Sequence, residues 1–197
     1  MTEFYKTCYR AILAQRSSIA DTIKSVDLSQ ADTLRSRKDV VFVGCGDSYA
    51  VADYGRWCMS VAGISSLCLS PDETRYVPIG TDTIVVGVTA SGRSLVTIDA
   101  LRRAKSKGAE IVVLTDNPQG KAVEYADHVW TTMAGVSTYD TSPSSPTTTA
   151  MAYLLRLVGG IESKCQDKVE RDIAKLKSNG RQMLAWAEQE GEDIGKS

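Results

Sequence analysis

Apolar residues along this chain follow two distinct periods. Phe4, Cys8, Ala11, Ile12, Ile19 and Ile23 recur at helical spacings and predict a helix over 3–25. Ser29 and Asp32 interrupt that pattern, and Val40-Val41-Phe42-Val43, a β-branched run closed by Gly44, predicts a strand. Because the run is apolar at consecutive rather than alternate positions, it predicts a strand covered on both faces. Further strands are predicted at 66–69, 83–88, 110–115 and 128–132, with helical patterns over 48–61, 94–107 and 120–126 between them. Strands alternating with helices predict an α/β fold built on an open parallel sheet. Its deepest positions should be Val41, Val43, Val85, Val86, Val112 and Val113.

The rhythm breaks at 134–149, a Ser/Thr-rich stretch that contains Pro143 and Pro146 and reads as a long loop of functional interest. Beyond it, 148–158 predicts an apolar helix and 162–190 a charged amphipathic one.

Composition narrows the chemistry. With 23 Lys and Arg against 24 Asp and Glu in 197 residues, no global field recruits nucleic acid or a membrane surface, so an anion must be held locally. Neither a signal segment nor an apolar run near membrane-spanning length is read in the sequence. Cys8, Cys45, Cys58, Cys68 and Cys165 are widely spaced and read as reduced thiols of a cytoplasmic protein. His128 is the only histidine, which argues against a histidine-based metal site and a Ser-His-Asp triad; its place after Ala126-Asp127 at a strand start suits a structural role. No metal or cofactor is expected.

Ligands of such sheets sit beyond the carboxyl ends of the strands. Three loops should meet there. Gly44-Cys45-Gly46-Asp47-Ser48 follows the first strand and opens a helix whose N–H groups can face an anion. Thr89-Ala90-Ser91-Gly92-Arg93-Ser94 follows the third and sets three hydroxyls around a glycine. The Ser/Thr-rich stretch follows the fifth. Taken singly, such loops are also ordinary helix caps and turns. Gly44-x-Gly46 after a strand also invites a dinucleotide-binding reading, but Tyr49 stands where that motif needs its third glycine.

Together, the first two loops resemble the paired phosphate loops of the sugar isomerase (SIS) domain family, above all the isomerase half of glucosamine-6-phosphate synthase. Asp72-Glu73-Thr74-Arg75-Tyr76 resembles that family's acidic-aromatic stretch after strand two, and 121–129 its segment before strand five. The likeness implies a single SIS domain over 35–160, with helical extensions at 1–34 and 161–197. It implies a three-layer α/β/α sandwich with a five-stranded, flavodoxin-like sheet in the order 2-1-3-4-5. The expected ligand is a phosphorylated sugar, held by Gly46, Asp47, Ser48, Thr89, Ser91, Gly92, Arg93 and Ser94, with Ser144 and Ser145 from the third loop. Ala90 stands where the family usually has Gln, Asp47 where it has Thr, and Arg93 where it has Glu. The last two exchanges suggest either an Asp47–Arg93 pair or an Arg93 contact to phosphate that leaves Asp47 for a sugar hydroxyl or amine.

The implied activity is aldose–ketose isomerisation by a homo-oligomer, in which amphipathic helices near residues 3–25 and 147–190 help form the contact. Isomerisation needs a carboxylate base. Asp72, Glu73 and Asp140 are the candidates, and Glu73 is preferred, acting across a subunit boundary. The family's ring-opening histidine context and second SIS domain are not found, so the alternative is a module that senses a phosphosugar without turnover.

Overall fold

The computed structural model describes residues 3–36, 39–135 and 145–194. Five parallel strands, β1 (Asp39–Val43), β2 (Ser66–Leu69), β3 (Thr83–Val88), β4 (Glu110–Thr115) and β5 (His128–Thr131), form one sheet in the order β2-β1-β3-β4-β5. This is the expected strand order. The apolar runs are covered on both faces because successive residues point to opposite sides. Val40, Phe42, Ile84, Val86, Val112, Leu114 and Trp130 face one layer of helices, whereas Val41, Val43, Val85, Ile111 and Val113 face the other. All six valines expected to be deepest are at most 2% exposed.

The first layer consists of α1 (Glu3–Ser25), α2 (Ala31–Arg35), α3 (Asp47–Val61), α5 (Ser145–Ile161) and α6 (Ser163–Ile194). In it the Trp130 and Tyr153 rings stack at 5.9 Å, which fixes α5 against the far end of the sheet. The second layer is thinner, formed by α4 (Leu95–Ser106) and a 3₁₀ segment at Lys121–Tyr125, and is centred on Leu101.

Three boundaries differ from the sequence pattern. Residues 120–126 carry a 3₁₀ turn rather than a full helix, since the short connection between Thr115 and His128 leaves room for little more. Helix α5 begins at Ser145, three residues before the predicted start, because Pro146 is compatible with a first helical turn whose N–H groups are unpaired anyway. Ala31–Arg35 forms a short helix that buries Ala31 and Leu34, two apolar residues in a polar stretch too short to show a period.

Candidate functional site

At the carboxyl edge of the sheet, the ends of β3 and β4, the first turn of α3 and the first turns of α5 line a narrow cleft of about 40 Å³, open to solvent on one side. Asp47, Ser48, Thr115, Asp116, Thr132 and Thr147 contribute its polar rim, and Val51, Val88 and Leu114 its floor.

The loop after β1 turns so tightly that a Cβ on Gly44 would lie 2.2 Å from the Ser48 carbonyl oxygen. Only glycine fits there. Gly46, at φ 60° and ψ −131°, caps α3 from a conformation that side chains disfavour. Asp47 and Ser48 are thereby delivered to the first turn of α3, and both line the cleft. The helix opens with unpaired N–H groups, so the positive end of its dipole faces this edge. The Asp47 carboxylate, which is exposed, makes no side-chain hydrogen bond or ion pair among the described residues.

The loop after β3 is shaped by its neighbour on β4. Thr89 N–H donates to Leu114 O (3.0 Å), Asp116 N–H to Ala90 O (3.1 Å) and the Asn117 side-chain amide to Ser91 O (2.9 Å). Gly92 (φ 66°) and Gly120 pack backbone to backbone, and Ala122 N–H donates to Gly92 O at 2.9 Å. Within this frame Ser91 Oγ accepts from Arg93 N–H (3.3 Å), and Ser94 Oγ accepts from the Thr97 hydroxyl (3.0 Å). A hydroxyl that accepts internally keeps its own proton to give away. Gly92 N–H donates to Thr89 O, so the backbone N–H groups of Gly92 and Arg93 are both used inside the loop. The first intrahelical bond of α4 is Ile98 N–H to Ser94 O, which leaves the earlier N–H groups of that helix at the same edge.

Of the expected site residues, the structure brings Asp47 and Ser48 into the cleft wall, together with Ala90. Thr89 is buried at the end of β3, Ser91 and Ser94 are half-buried, and Arg93 is exposed. Ser145 is fully buried and donates to Ala134 O (2.9 Å), so it fastens the start of α5 rather than lining the cleft. Ser144 and Asp140 lie outside the described residues. Asp72 and Glu73 stand beyond β2. The Glu73 carboxylate accepts Ser70 N–H at 2.6 Å, and that hydrogen bond holds its pKa below the ordinary value. Glu73 is not a wall of the cleft, but it lies near Tyr49 on the first turn of α3, whose pKa is pushed up chiefly by Cys68, then by burial, and more weakly by the Glu73 charge. His128 pairs with Glu110 (2.8 Å) at the opposite edge of the sheet, consistent with a structural role.

Asp116 was not anticipated. Its Oδ1 accepts both Ala134 N–H (2.7 Å) and the Thr132 hydroxyl (3.1 Å), which fixes the carboxylate in the cleft wall. Burial pushes its pKa up, and these two hydrogen bonds oppose the shift without cancelling it. In sequence it is hidden in Thr115-Asp116-Asn117-Pro118, which reads as an ordinary turn. Among the described residues no group of acidic, cysteine and histidine side chains is placed to hold a metal ion, and no helix is long and apolar enough to cross a membrane.

A family model of the SIS domain matches residues 33–158. A glutamine–fructose-6-phosphate aminotransferase (isomerizing) of Aquifex aeolicus is 31% identical over 188 residues, covering 91% of this chain and 31% of that protein. The chain therefore spans under a third of that relative's length. Among solved structures, the C-terminal domain of glucosamine-fructose-6-phosphate aminotransferase from Francisella tularensis superposes with a TM-score of 0.69 at 20% identity, over 87% of this chain and 52% of that one. The sugar isomerase domain of an RpiR transcription factor from Sphaerobacter thermophilus superposes with a TM-score of 0.64 at 19% identity, over 85% and 97% of the two chains.

Proposed function

The chain belongs to the SIS domain family, and on that premise we propose that it binds a phosphorylated sugar at the carboxyl-edge cleft and interconverts aldose and ketose forms as an oligomer. The observation that carries this reading is the hydroxyl loop after β3, which β4 holds rigid at the start of α4 with the Ser91 and Ser94 protons left to donate. Ser48, Thr89, Ser91 and Ser94 are the proposed phosphate ligands, helped by the open N–H groups of α3 and α4. Such a set holds an anion without any net positive charge on the protein.

Isomerisation moves a proton between adjacent carbons and needs an ionised carboxylate. Glu73, ionised and at the same sheet edge but outside its own cleft, is the proposed base for a sugar held by a neighbouring copy. Contact between copies is proposed along α1 and α6, where Phe4, Tyr5, Met183 and Trp186 are at least half exposed. Five free thiols suit the reducing interior of a cell, the proposed compartment.

Binding without turnover is the second reading. The Ser70 hydrogen bond, which weakens Glu73 as a base, favours it, as does the likeness to a transcription factor's sugar isomerase domain. A melting screen against sugar phosphates, followed by NMR observation of each stabilising compound, separates the two. Stabilisation with slow appearance of the other isomer supports the enzyme, whereas stabilisation with an unchanged spectrum supports the sensor.

A further inference from the structure

The turn that carries Glu73 follows β2 and keeps its shape through short-range bonds. Glu73 N–H donates to Ser70 O (3.1 Å), Ser70 N–H to the Glu73 carboxylate (2.6 Å), and the buried Thr74 hydroxyl to Pro71 O (2.6 Å). None of these bonds fixes where the turn sits on the rest of the subunit. That placement comes from α4. Arg103 Nη2 donates to Pro71 O and to Thr74 Oγ1, each at 3.2 Å, while its Nη1 pairs with the Asp99 carboxylate one turn earlier on the same helix. Arg75, at the end of the turn, brings its Nη2 to 3.8 Å from that same carboxylate. Among the described residues, every side-chain hydrogen bond or ion pair between 71–76 and another element ends on Asp99 or Arg103.

The planar head of Arg103 presents separate nitrogens to Asp99 and to the turn, so its direction is set from both sides. Asp99 also accepts from Arg102 at 2.6 Å, which steadies the carboxylate in turn. The helix that grips the turn is the one capped by Ser94 of the proposed phosphate loop. We infer that Arg103, held by Asp99, is a positioning residue that fixes the Glu73 turn to the body of its subunit, so that the carboxylate meets a neighbouring copy's sugar in one position. The inference rests on the reading of Glu73 as the base. In a symmetric assembly each site then takes its phosphate ligands from one α4 and the placement of its base from the other. Proton transfer tolerates little displacement, since a base misplaced by about 1 Å can lose on the order of a hundredfold in rate. Phosphate binding is spared by the same displacement, because the loop after β3 is framed by the end of β4 and not by the Glu73 turn. Loss of Arg103 therefore falls on kcat and leaves KM alone.

Turnover of fructose 6-phosphate, glucosamine 6-phosphate and arabinose 5-phosphate, followed by NMR, tests the assignment. On whichever compound the wild-type protein converts, Arg103→Met should lower kcat by about tenfold or more and change KM by less than about twofold. Arg103→Lys, which keeps the charge and a donor for the turn, should recover part of that loss, and Asp99→Asn should show a smaller loss of the same kind. In the free protein, Ser70 N–H, which reports the hold on the Glu73 carboxylate, should exchange faster in Arg103→Met. Should Arg103→Met fail to fold, Asp99→Asn and Arg103→Lys carry the same test. Unchanged kcat and unchanged Ser70 exchange, or a loss carried in KM that lysine does not recover, overturn this inference and leave Glu73 standing as the proposed base. If the wild-type protein converts none of the three compounds, the base falls and this inference falls with it.

Discussion

The two edges of the sheet treat their charges in opposite ways. At the amino ends of β4 and β5 they are paired. Asp127 accepts from the Lys105 ammonium and from Ile111 N–H, and Glu110 pairs with His128. At the carboxyl edge, Asp47 has no partner among the described residues and Asp116 uses only one of its oxygens. Burial pushes the Asp127 carboxyl up, but the Lys105 and Ile111 hydrogen bonds and the Lys105 charge outweigh it and hold the pKa low. At Asp116 burial wins, and the pKa is raised. The same residue type thus serves stability at one edge and is kept available at cost at the other, a contrast typical of functional sites.

The largest effect that could break this contrast is in the backbone that shapes the cleft. Gly44→Ala would place a methyl group 2.2 Å from the Ser48 carbonyl oxygen. Such overpacking should cost about 3 kcal/mol of stability in denaturant unfolding and abolish sugar-phosphate binding with it. Next in size, Ser91→Ala should weaken sugar-phosphate binding by about 1–3 kcal/mol, the range for a hydrogen bond to a charged group, with little change in melting temperature. A fall in stability without a fall in affinity would mark the serine as only a turn residue.

Smaller effects sharpen the comparison because their signs differ. Asp127 has a lowered folded pKa, so its contribution is present above the ordinary carboxylate range and is lost as pH falls through the folded value. Asp127→Asn should therefore destabilise the protein at neutral pH by roughly 0.5–1 kcal/mol, because the ion pair is partly solvated, and the difference should vanish in acid. Asp116 has a raised folded pKa, so its charge opposes folding at neutral pH and is relieved as pH falls through that value. Asp116→Asn should raise the neutral-pH melting temperature slightly and flatten its rise on mild acidification. Equal signs for the two variants in thermal unfolding at pH 7 would remove the contrast. The smallest expected effect is coupling between Asp47 and Arg93: if they act together on the ligand, exchanging both charges should bind sugar phosphate better than the two single changes summed, whereas strict additivity separates them.

The sheet was legible in the sequence because burial on both faces leaves a direct mark: Val40–Val43, Thr83–Val88 and Glu110–Thr115 are nearly continuous apolar runs. The loop after β1 was equally legible, since Gly44 and Gly46 are demanded by local geometry that a short motif records. Asp116 was not, because its role depends on Ala134 and Thr132, 18 and 16 residues away, reaching it only after β5 pairs with β4. Nor could a run of hydroxyl residues reveal that the Gly92 and Arg93 N–H groups are used within their own loop, or that Ser145 fastens α5. Each of those facts is a hydrogen bond made in three dimensions by residues whose types also suit a simple turn.

Backbone amide chemical shifts, followed by NMR while a sugar phosphate selected by melting is titrated in, test the central claim most directly. The account predicts that the largest changes fall on the first turns of α3 and α4, on Ser91 and on Asp116, while Glu110, Asp127 and His128 at the opposite edge stay unmoved. Changes centred on the amino edge, or on α1 and α6 alone, would contradict it.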